Sequence, residues 1–289
     1  MTLIPIETPE DFLLAEQFVS SHEKTCVSLA SLVRRKVNTL FFITDSDNFV
    51  TEPAKTSISG IISLDSTIYH CIPDVSKIDI NHFSDELKSV LKKPVRCISG
   101  ETSATDFLIK AVDRLTNDSL LITPLKQIYY YKMMNLSSTP EPFELSGGEE
   151  IIRCTEHDME PLHSLQKEYM KEEVAVPGRQ ITDAEVALTL RQILKNQLCF
   201  ALTFDGEITA KANTNAIGIN CVQIGGVYTH PLYRHNGYAA ALVTALCNRA
   251  KRARKNPVLF VKEKNMPALS LYLKLGFEEC GHYAIAYYN

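Results

Sequence analysis

Ile224-Gly225-Gly226-Val227-Tyr228-Thr229-His230-Pro231-Leu232-Tyr233-Arg234-His235-Asn236-Gly237-Tyr238-Ala239-Ala240 predicts a strand, a short loop and the first turn of a helix. Two adjacent glycines in a strand indicate a β-bulge or a close approach by another backbone or a ligand. Pro231 cannot continue a strand ladder, so we expect the strand to end near His230. From Ala239 onward the apolar residues recur with helical spacing. The loop therefore lies at a helix N-terminus, where unpaired N–H groups and the positive dipole end favour a phosphate.

The neighbouring segments extend this unit into an α/β pattern. Residues 258–261 form a short apolar strand after the helix, which predicts parallel pairing and a right-handed crossover. Upstream, Asp205-Gly206 is a strong hairpin turn between two strands. Downstream, we expect Asn265 to cap a helix that Gly276 ends. Residues 277–280 and 282–288 then predict a closing hairpin.

The first half repeats this order of elements. It predicts helices, strands, a strand–helix–strand–helix segment and a final strand over 125–134, which we interpret as a weak internal duplication. The segment 72–79, after the equivalent strand, lacks Arg-x-x-Gly-x-Ala and carries two aspartates that would repel a phosphate. If the halves are related, only the second keeps the anion site. Residues 45–48 predict a turn that closes the strand 39–44. Turn formers at 137–142 and 146–148 mark the domain boundary, so we divide the chain into 1–136, a linker 137–148, and 149–289.

Composition sets the broad class. The 289 residues suit two domains, and 45% hydrophobic and 22% charged residues with a net charge of −4 are typical of a globular protein without nucleic acid as its main partner. There is no signal-like N-terminus and no apolar run of about 18 residues, so we expect no membrane span. The eight cysteines are scattered without a CxxC pair, which favours a reducing cytoplasm and gives no support to a metal site.

Two motifs carry a family resemblance. Residues 227–239, with Arg234-x-x-Gly237-x-Ala239, resemble motif A of the GNAT N-acetyltransferase superfamily, Arg/Gln-x-x-Gly-x-Gly/Ala. Residues 265–277, Asn-x-x-Ala-x-x-Leu-Tyr-x-x-x-Gly-Phe, resemble the motif that follows, and the combination is similar to the FR47-like branch. The resemblance covers about the last 140 residues. It implies an α/β (α+β) fold with a mixed twisted sheet flanked by helices. The first half is then either a degenerate GNAT-like domain or an accessory α/β domain.

The resemblance implies acetyl-CoA as the donor, with roles for matched residues. Backbone amides that open the helix would bind the pyrophosphate, the strand edge would pair with the pantetheine arm, and a backbone N–H near Val227 would stabilise the oxyanion. Tyr272 matches the tyrosine that protonates the leaving thiolate, although its helical position also suits a core residue. Asn265 would contact the pantetheine or serve only as a cap. The predicted cofactor-binding residues are Val227, Tyr228, Thr229, Arg234, His235, Asn236, Gly237, Tyr238, Ala239, Ala240 and Asn265.

The general base is not assigned by the sequence. Gln223 stands where some family members carry a glutamate, and an amide is not a productive base. Three alternatives remain open. A water chain deprotonates the amine, Glu172 or Glu173 serves as the base, or the acceptor amine arrives neutral. Because no cysteine lies in the motifs, we expect direct transfer of the acetyl group to a primary amine of a small molecule, an amino acid or a peptide N-terminus.

Two alternatives differ in function class. One is a non-catalytic acyl-CoA-binding module, and the other is the same fold with another acyl-CoA as donor. The expected assembly is a monomer or a homodimer.

Overall fold

The strands join in one mixed sheet. The computed structural model describes residues 2–44, 58–116, 121–141, 143–145, 147–176 and 178–289, so the turn predicted at 45–48 and parts of the linker lie outside it. Twelve described strands pair in the order β1-β2-β3-β4-β5-β12-β6-β11-β10-β9-β8-β7. They are β1 Thr2–Pro5, β2 Leu40–Thr44, β3 Ile58–Ser63, β4 Thr67–Cys71, β5 Cys97–Glu101, β6 Leu125–Leu136, β7 Glu149–Arg153, β8 Cys199–Phe204, β9 Glu207–Ile217, β10 Cys221–Thr229, β11 Asn256–Lys262 and β12 Phe277–Tyr288.

Helices connect these strands and cover the sheet. In chain order they are α1 Pro9–His22, α2 Val27–Arg34, α3 Ile80–Val90, α4 Thr102–Asp113, α5 Met159–Tyr169, α6 Asp183–Asn196, α7 Tyr238–Arg252 and α8 Met266–Lys274. A π-helical turn, Met170–Val174, continues α5. Asn265 is the N-cap of α8, as predicted, because its side chain accepts a hydrogen bond from the Ala268 N–H. Among the described helices none is long and apolar enough to cross a bilayer.

Parallel pairs occur at equivalent places in the two halves. β10 pairs parallel with β11 across α7, and β4 pairs parallel with β5 across α3. The mixed α/β class and the parallel pairing in the second half are therefore confirmed. The hairpin between β8 and β9 is also confirmed, with Asp205 and Gly206 both at positive φ.

The strand order interleaves the halves. β6, the last strand of the first half, lies between β11 and β12, whereas β12 pairs with β5 of the first half. The predicted closing hairpin is wrong, because Phe277–Tyr288 is a single strand with a register shift between Glu279 and Gly281. The strand does not reverse because β6 pairs with it on both sides of the shift. The boundaries 1–136, 137–148 and 149–289 stay a prediction.

A buried carboxylate joins the halves beside β10. Glu23, only 2% exposed, accepts hydrogen bonds from the N–H groups of Asn220 (2.9 and 2.8 Å) and Cys221 (2.9 Å). A carboxylate that accepts several backbone N–H bonds is well satisfied even when buried. Glu23 therefore fixes the turn from which β10 starts.

Candidate active site

A β-bulge opens a gap in the sheet at β10. Parallel pairing with β11 ends at Ile224, and on the other side Gly226 and Val227 together face one residue of β9. Gly226 has φ of +58°, and a Cβ there would lie 2.0 Å from Asn213 Oδ1. A Cβ on Gly225 would lie 2.1 Å from Asn215 Nδ2. Position 226 therefore requires glycine, whereas a side chain on Gly225 would displace the exposed Asn215 amide. The backbone beyond Ile224 is left free of β11.

The loop after β10 presents unpaired N–H groups. A 3-10 turn, Pro231–Tyr233, precedes Gly237, which is the N-cap of α7 with φ of +79° and no side-chain cap. The first intrahelical bond runs from the Ala241 N–H to the Gly237 oxygen, 3.0 Å. No described residue accepts a hydrogen bond from the N–H groups of 238–240. This helix end has the geometry of an anion site.

Arg234 fixes the loop to the π-helical turn. Its Nη2 lies 3.0 Å from Glu172 Oε2, and its Nε donates to the Thr229 oxygen at 3.1 Å. Tyr228 donates to Glu172 Oε1 at 2.7 Å. Burial and this carboxylate raise the pKa of Tyr228 to about 12. Glu172 is thus committed to an ion pair and a hydrogen bond.

Asn265 precedes α8 and Tyr272 lies within it, and Glu173 is close to both. Asn265 Nδ2 donates to Glu173 Oε1 at 3.3 Å, and Lys262 Nζ lies 3.3 Å from Glu173 Oε2. The Tyr272 side chain is buried, with its ring edge-on to Phe277. Burial foremost, and then the nearby Tyr169 and Glu173, raise the pKa of Tyr272 above its usual range. Tyr272 therefore keeps its proton at neutral pH.

Part of the chain matches a known protein family. Residues 159–277 match the family model described as the acetyltransferase (GNAT) family. These residues form a GNAT-family domain. A comparison with curated proteins gave no significant match.

Solved structures resemble the chain over nearly its whole length. A Drosophila protein is 13% identical with a TM-score of 0.63 and coverage of 99% of this chain and 98% of that one. A GCN5-related N-acetyltransferase from Kribbella flavida is 12% identical, TM-score 0.55, with 95% of both chains covered. A GNAT-family acetyltransferase from Colwellia psychrerythraea is 11% identical, TM-score 0.51, with 100% and 99% covered. At these identities the likeness concerns the fold.

The structure places the predicted residues of the GNAT domain in three groups. Val227 is the second residue of the bulge and Tyr228 and Thr229 follow it. Residues 234–240 surround the start of α7, and Asn265 caps α8, which contains Tyr272. Gln223 lies instead in the part of β10 that pairs with β11, where its Oε1 accepts from Ser28 Oγ at 3.5 Å. The described residues contain no cluster of His, Cys, Asp and Glu suited to a metal ion.

Sequence reasoning missed Lys211. This residue of β9 is fully buried, and its Nζ donates to the Gly226 oxygen at 2.9 Å and to Asn213 Oδ1 at 3.0 Å. The ammonium also lies 5.0 Å from the centre of the Tyr169 ring. Burial lowers the pKa of Lys211 to about 8. The sequence did contain an indication of a polar face, because Lys211, Asn213 and Asn215 occupy every second position of one strand and therefore lie on the same side of it.

A cavity of about 270 Å³ adjoins the bulge of the GNAT domain. It lies between α5 with its π-helical turn, α6 and β9, and it reaches Gly226. Gln166 and Tyr169 line it from α5, and Asn213 and Asn215 line it from β9. From the sequence alone we expect the helices predicted at 159–173 and 183–194, with or without the first half, to line an acceptor cleft, but nothing in the sequence singles out these four side chains.

The equivalent place in the first half is closed. His70, which follows the parallel-paired part of β4, is 2% exposed, and its Nε2 lies 2.9 Å from Thr105 Oγ1. A Cβ on Gly100 would lie 2.2 Å from the His70 ring, so the imidazole occupies the space beside β5. Asp79 caps α3 through its carboxylate. A negative charge at that helix start disfavours a phosphate, as the sequence indicated.

Proposed function

We propose that this protein is an acetyl-CoA-dependent N-acetyltransferase that moves an acetyl group to a primary amine by direct attack in a ternary complex. The proposal rests on one structural observation. The unpaired N–H groups at the start of α7 lie at the end of the strand whose bulge opens the sheet. This arrangement offers a diphosphate an anion site and offers an amide-bearing arm a free strand edge.

Most residues of the site bind acetyl-CoA, and one backbone N–H group takes part in the reaction. The N–H groups that follow Arg234 hold the diphosphate, and residues 227–229 pair with the pantetheine arm, with Asn265 on the opposite side of the gap. The Val227 N–H donates to the thioester oxygen and stabilises the negative charge that develops on it. The glycine requirement at 226 supports this assignment, because the bulge turns this part of the backbone out of the ladder with β9.

The transfer step does not require a carboxylate as general base. The neutral amine nitrogen attacks the thioester carbonyl, a C–N bond forms, the C–S bond breaks, and the sulfur takes the Tyr272 proton. The proton lost by the amine passes to water, and the phenol is restored from solvent. Glu172 and Glu173 are both paired with cations, which favours the neutral-amine alternative over a glutamate base.

A direct assay tests the proposed function. The full-length protein is incubated with acetyl-CoA and a panel of primary amines, and release of the free thiol is followed together with the mass of the product. We expect an increase in mass of one acetyl group on an amine. Acetyl-CoA binding without turnover of any amine would favour the non-catalytic module. Turnover only with a longer acyl-CoA would show that the donor is not acetyl-CoA.

The remaining predictions are part of the same proposal. All eight cysteines are free thiols, which supports a reducing, cytoplasmic location. We assign the second half to the FR47-like branch, with 1–136 as its degenerate or accessory partner domain and a monomer or homodimer as the assembly.

Replacing Tyr272 with phenylalanine tests the proposed acid. We expect kcat to fall by ~10²-fold, the usual contribution of a positioned proton donor, with acetyl-CoA affinity unchanged because the ring stays in place. Steady-state kinetics and a titration of acetyl-CoA measure the two quantities. Tyr288→Phe is the matched control, since it removes a buried hydroxyl without a partner among the described residues, in the core of the first half. Equal kcat values for Y272F and wild type would refute the role.

A further inference from the structure

The cavity beside the bulge contains a buried hydrogen-bond acceptor that nothing in the described part of the chain satisfies. Gln166 is 1% exposed and lines the cavity, and no described group donates to its Oε1. A buried polar atom without a partner is costly, and native proteins rarely keep one unless water or a ligand completes it. We propose that this cavity is the acceptor site, and that it takes a small primary amine with an uncharged polar body, such as an amino amide, whose N–H group donates to Gln166 Oε1. The inference rests on the proposed function.

The position of the cavity suits an attacking amine. It extends from Gln166 to Gly226, whose carbonyl belongs to the same peptide unit as the Val227 N–H, the proposed oxyanion donor. An amine held here approaches the thioester from the β9 side of the bulge. The pantetheine arm in the gap beside β11 approaches from the other side. Donor and acceptor therefore meet at the bulge without competing for the same space.

The lining of the cavity excludes charged bodies. No side chain that lines it carries a carboxylate, ammonium or guanidinium group, and amides and hydroxyls provide its polar groups. The one phenol, Tyr169, stays neutral, because burial raises its pKa to about 12. A carboxylate or a second ammonium on the substrate would lose hydration there without gaining a counter-ion. Amino acids and diamines should therefore be poor acceptors.

The charge behind the cavity wall favours the neutral form of the amine. Lys211 Nζ lies behind two lining residues, because it is bonded to Asn213 Oδ1 and to the Gly226 oxygen. A buried cation this close lowers the pKa of an ammonium brought beside it. The cavity thus selects the nucleophilic form of the acceptor and supplies a reason why Gln223 need not be a base. Asn213 also donates to Asn215 Oδ1 at 3.1 Å, so these two lining amides hold each other in fixed orientations.

The experiment compares matched acceptors on the full-length protein. Alaninamide, alanine and 1,3-diaminopropane are similar in size and differ in the charge of the body. Because the amines also differ in basicity, rates are compared at equal concentrations of the neutral amine. We then expect kcat/KM at saturating acetyl-CoA to be at least about tenfold higher for alaninamide than for either of the others. Equal or better turnover of alanine or the diamine would overturn the assignment of the substrate class.

Gln166→Leu separates recognition from structure. It should lower kcat/KM for alaninamide about tenfold and leave the KM for acetyl-CoA unchanged, without lowering the melting temperature, because it removes an unsatisfied buried oxygen. Gln192→Leu, at an exposed glutamine of α6, is the matched control and should change neither constant. A lower melting temperature with unchanged kcat/KM would show that Gln166 is only structural.

Binding measurements separate this inference from the proposed function. If no amine reacts, alaninamide is titrated by calorimetry into wild type and Gln166→Leu in the presence of CoA. Binding to wild type that Gln166→Leu weakens would keep the site and refute the catalysis. Binding to neither protein would overturn the site.

Discussion

Lys211→Met is expected to lower kcat by ~30-fold with little change in acetyl-CoA affinity. The Lys211 ammonium donates to the Gly226 oxygen, and the N–H of that same peptide unit is the proposed oxyanion donor of Val227. The conjugated peptide transmits this polarisation, so a cation at the oxygen strengthens the N–H as a donor. A unit charge about 7 Å from the oxyanion contributes about 2 kcal/mol at an effective dielectric constant near 20. Methionine keeps the volume and removes the charge.

The pH profile distinguishes this electrostatic role from packing. Because burial lowers the pKa of Lys211 to about 8, the ammonium is present below that pH and is lost as the pH rises through it. The wild-type kcat should therefore decline above about pH 8, whereas K211M should lack this decline. The groups that face Lys211 are the Tyr169 ring and the thiols of Cys154 and Cys199.

Lys110→Met, at an exposed lysine of α4, should leave kcat and the profile unchanged. If K211M retains kcat within about twofold of wild type, the charge does not act on the reaction.

Gly226→Ala is expected to reduce the free energy of unfolding by about 3 kcal/mol or more and to abolish measurable turnover. An alanine at φ of +58° carries about 1–2 kcal/mol of backbone strain. Its Cβ would also meet Asn213 Oδ1 at 2.0 Å, and moving that amide breaks its bond with Lys211. Either the bulge or the buried lysine must rearrange. Urea denaturation measures the stability, and the thiol-release assay measures turnover.

Gly206→Ala isolates the steric part of this effect. Gly206 also has a positive φ, +84°, but no atom of another residue lies within 4 Å of a Cβ built there. It should show only the backbone strain, about 1–2 kcal/mol, and normal turnover. Equal losses of stability in the two variants would mean that the contact with Asn213 has no energetic weight.

The parts of the site predicted from sequence are those specified locally. Pro231 and Gly237 fix where β10 ends and α7 begins, and the Asn265 cap needs only the N–H of Ala268. Asp205-Gly206 likewise specifies its own turn. Each signal acts within a few residues, so the strand–loop–helix unit follows from the chain without knowledge of its neighbours.

The rest of the site depends on contacts between distant segments. The insertion of β6 between β11 and β12 is a choice among strand pairings that periodicity does not distinguish, and it is the reason that the predicted hairpin after Phe277 fails. Lys211 was missed because a lysine is expected at the surface unless partners satisfy it. One of its partners, Gly226, lies on another strand. Gln166 likewise becomes informative only when its burial is known.

The proposed function requires the N–H groups at the start of α7 to bind the diphosphate of acetyl-CoA. Ala239→Glu places a carboxylate in that first turn, where it suits the helix dipole and so preserves the fold, but lies about 5 Å from a bound diphosphate. The repulsion, about 3 kcal/mol at an effective dielectric constant near 20, corresponds to ~10²-fold weaker binding. Ala184→Glu, at the same position of the first turn of α6, is the matched control.

Calorimetric titration of acetyl-CoA into wild type, A239E and A184E is the most direct test. The structure predicts binding to wild type and A184E with equal affinity and binding to A239E that is ~10²-fold weaker. No binding to wild type, or equal affinity for A239E and wild type, would show that these N–H groups do not bind the diphosphate.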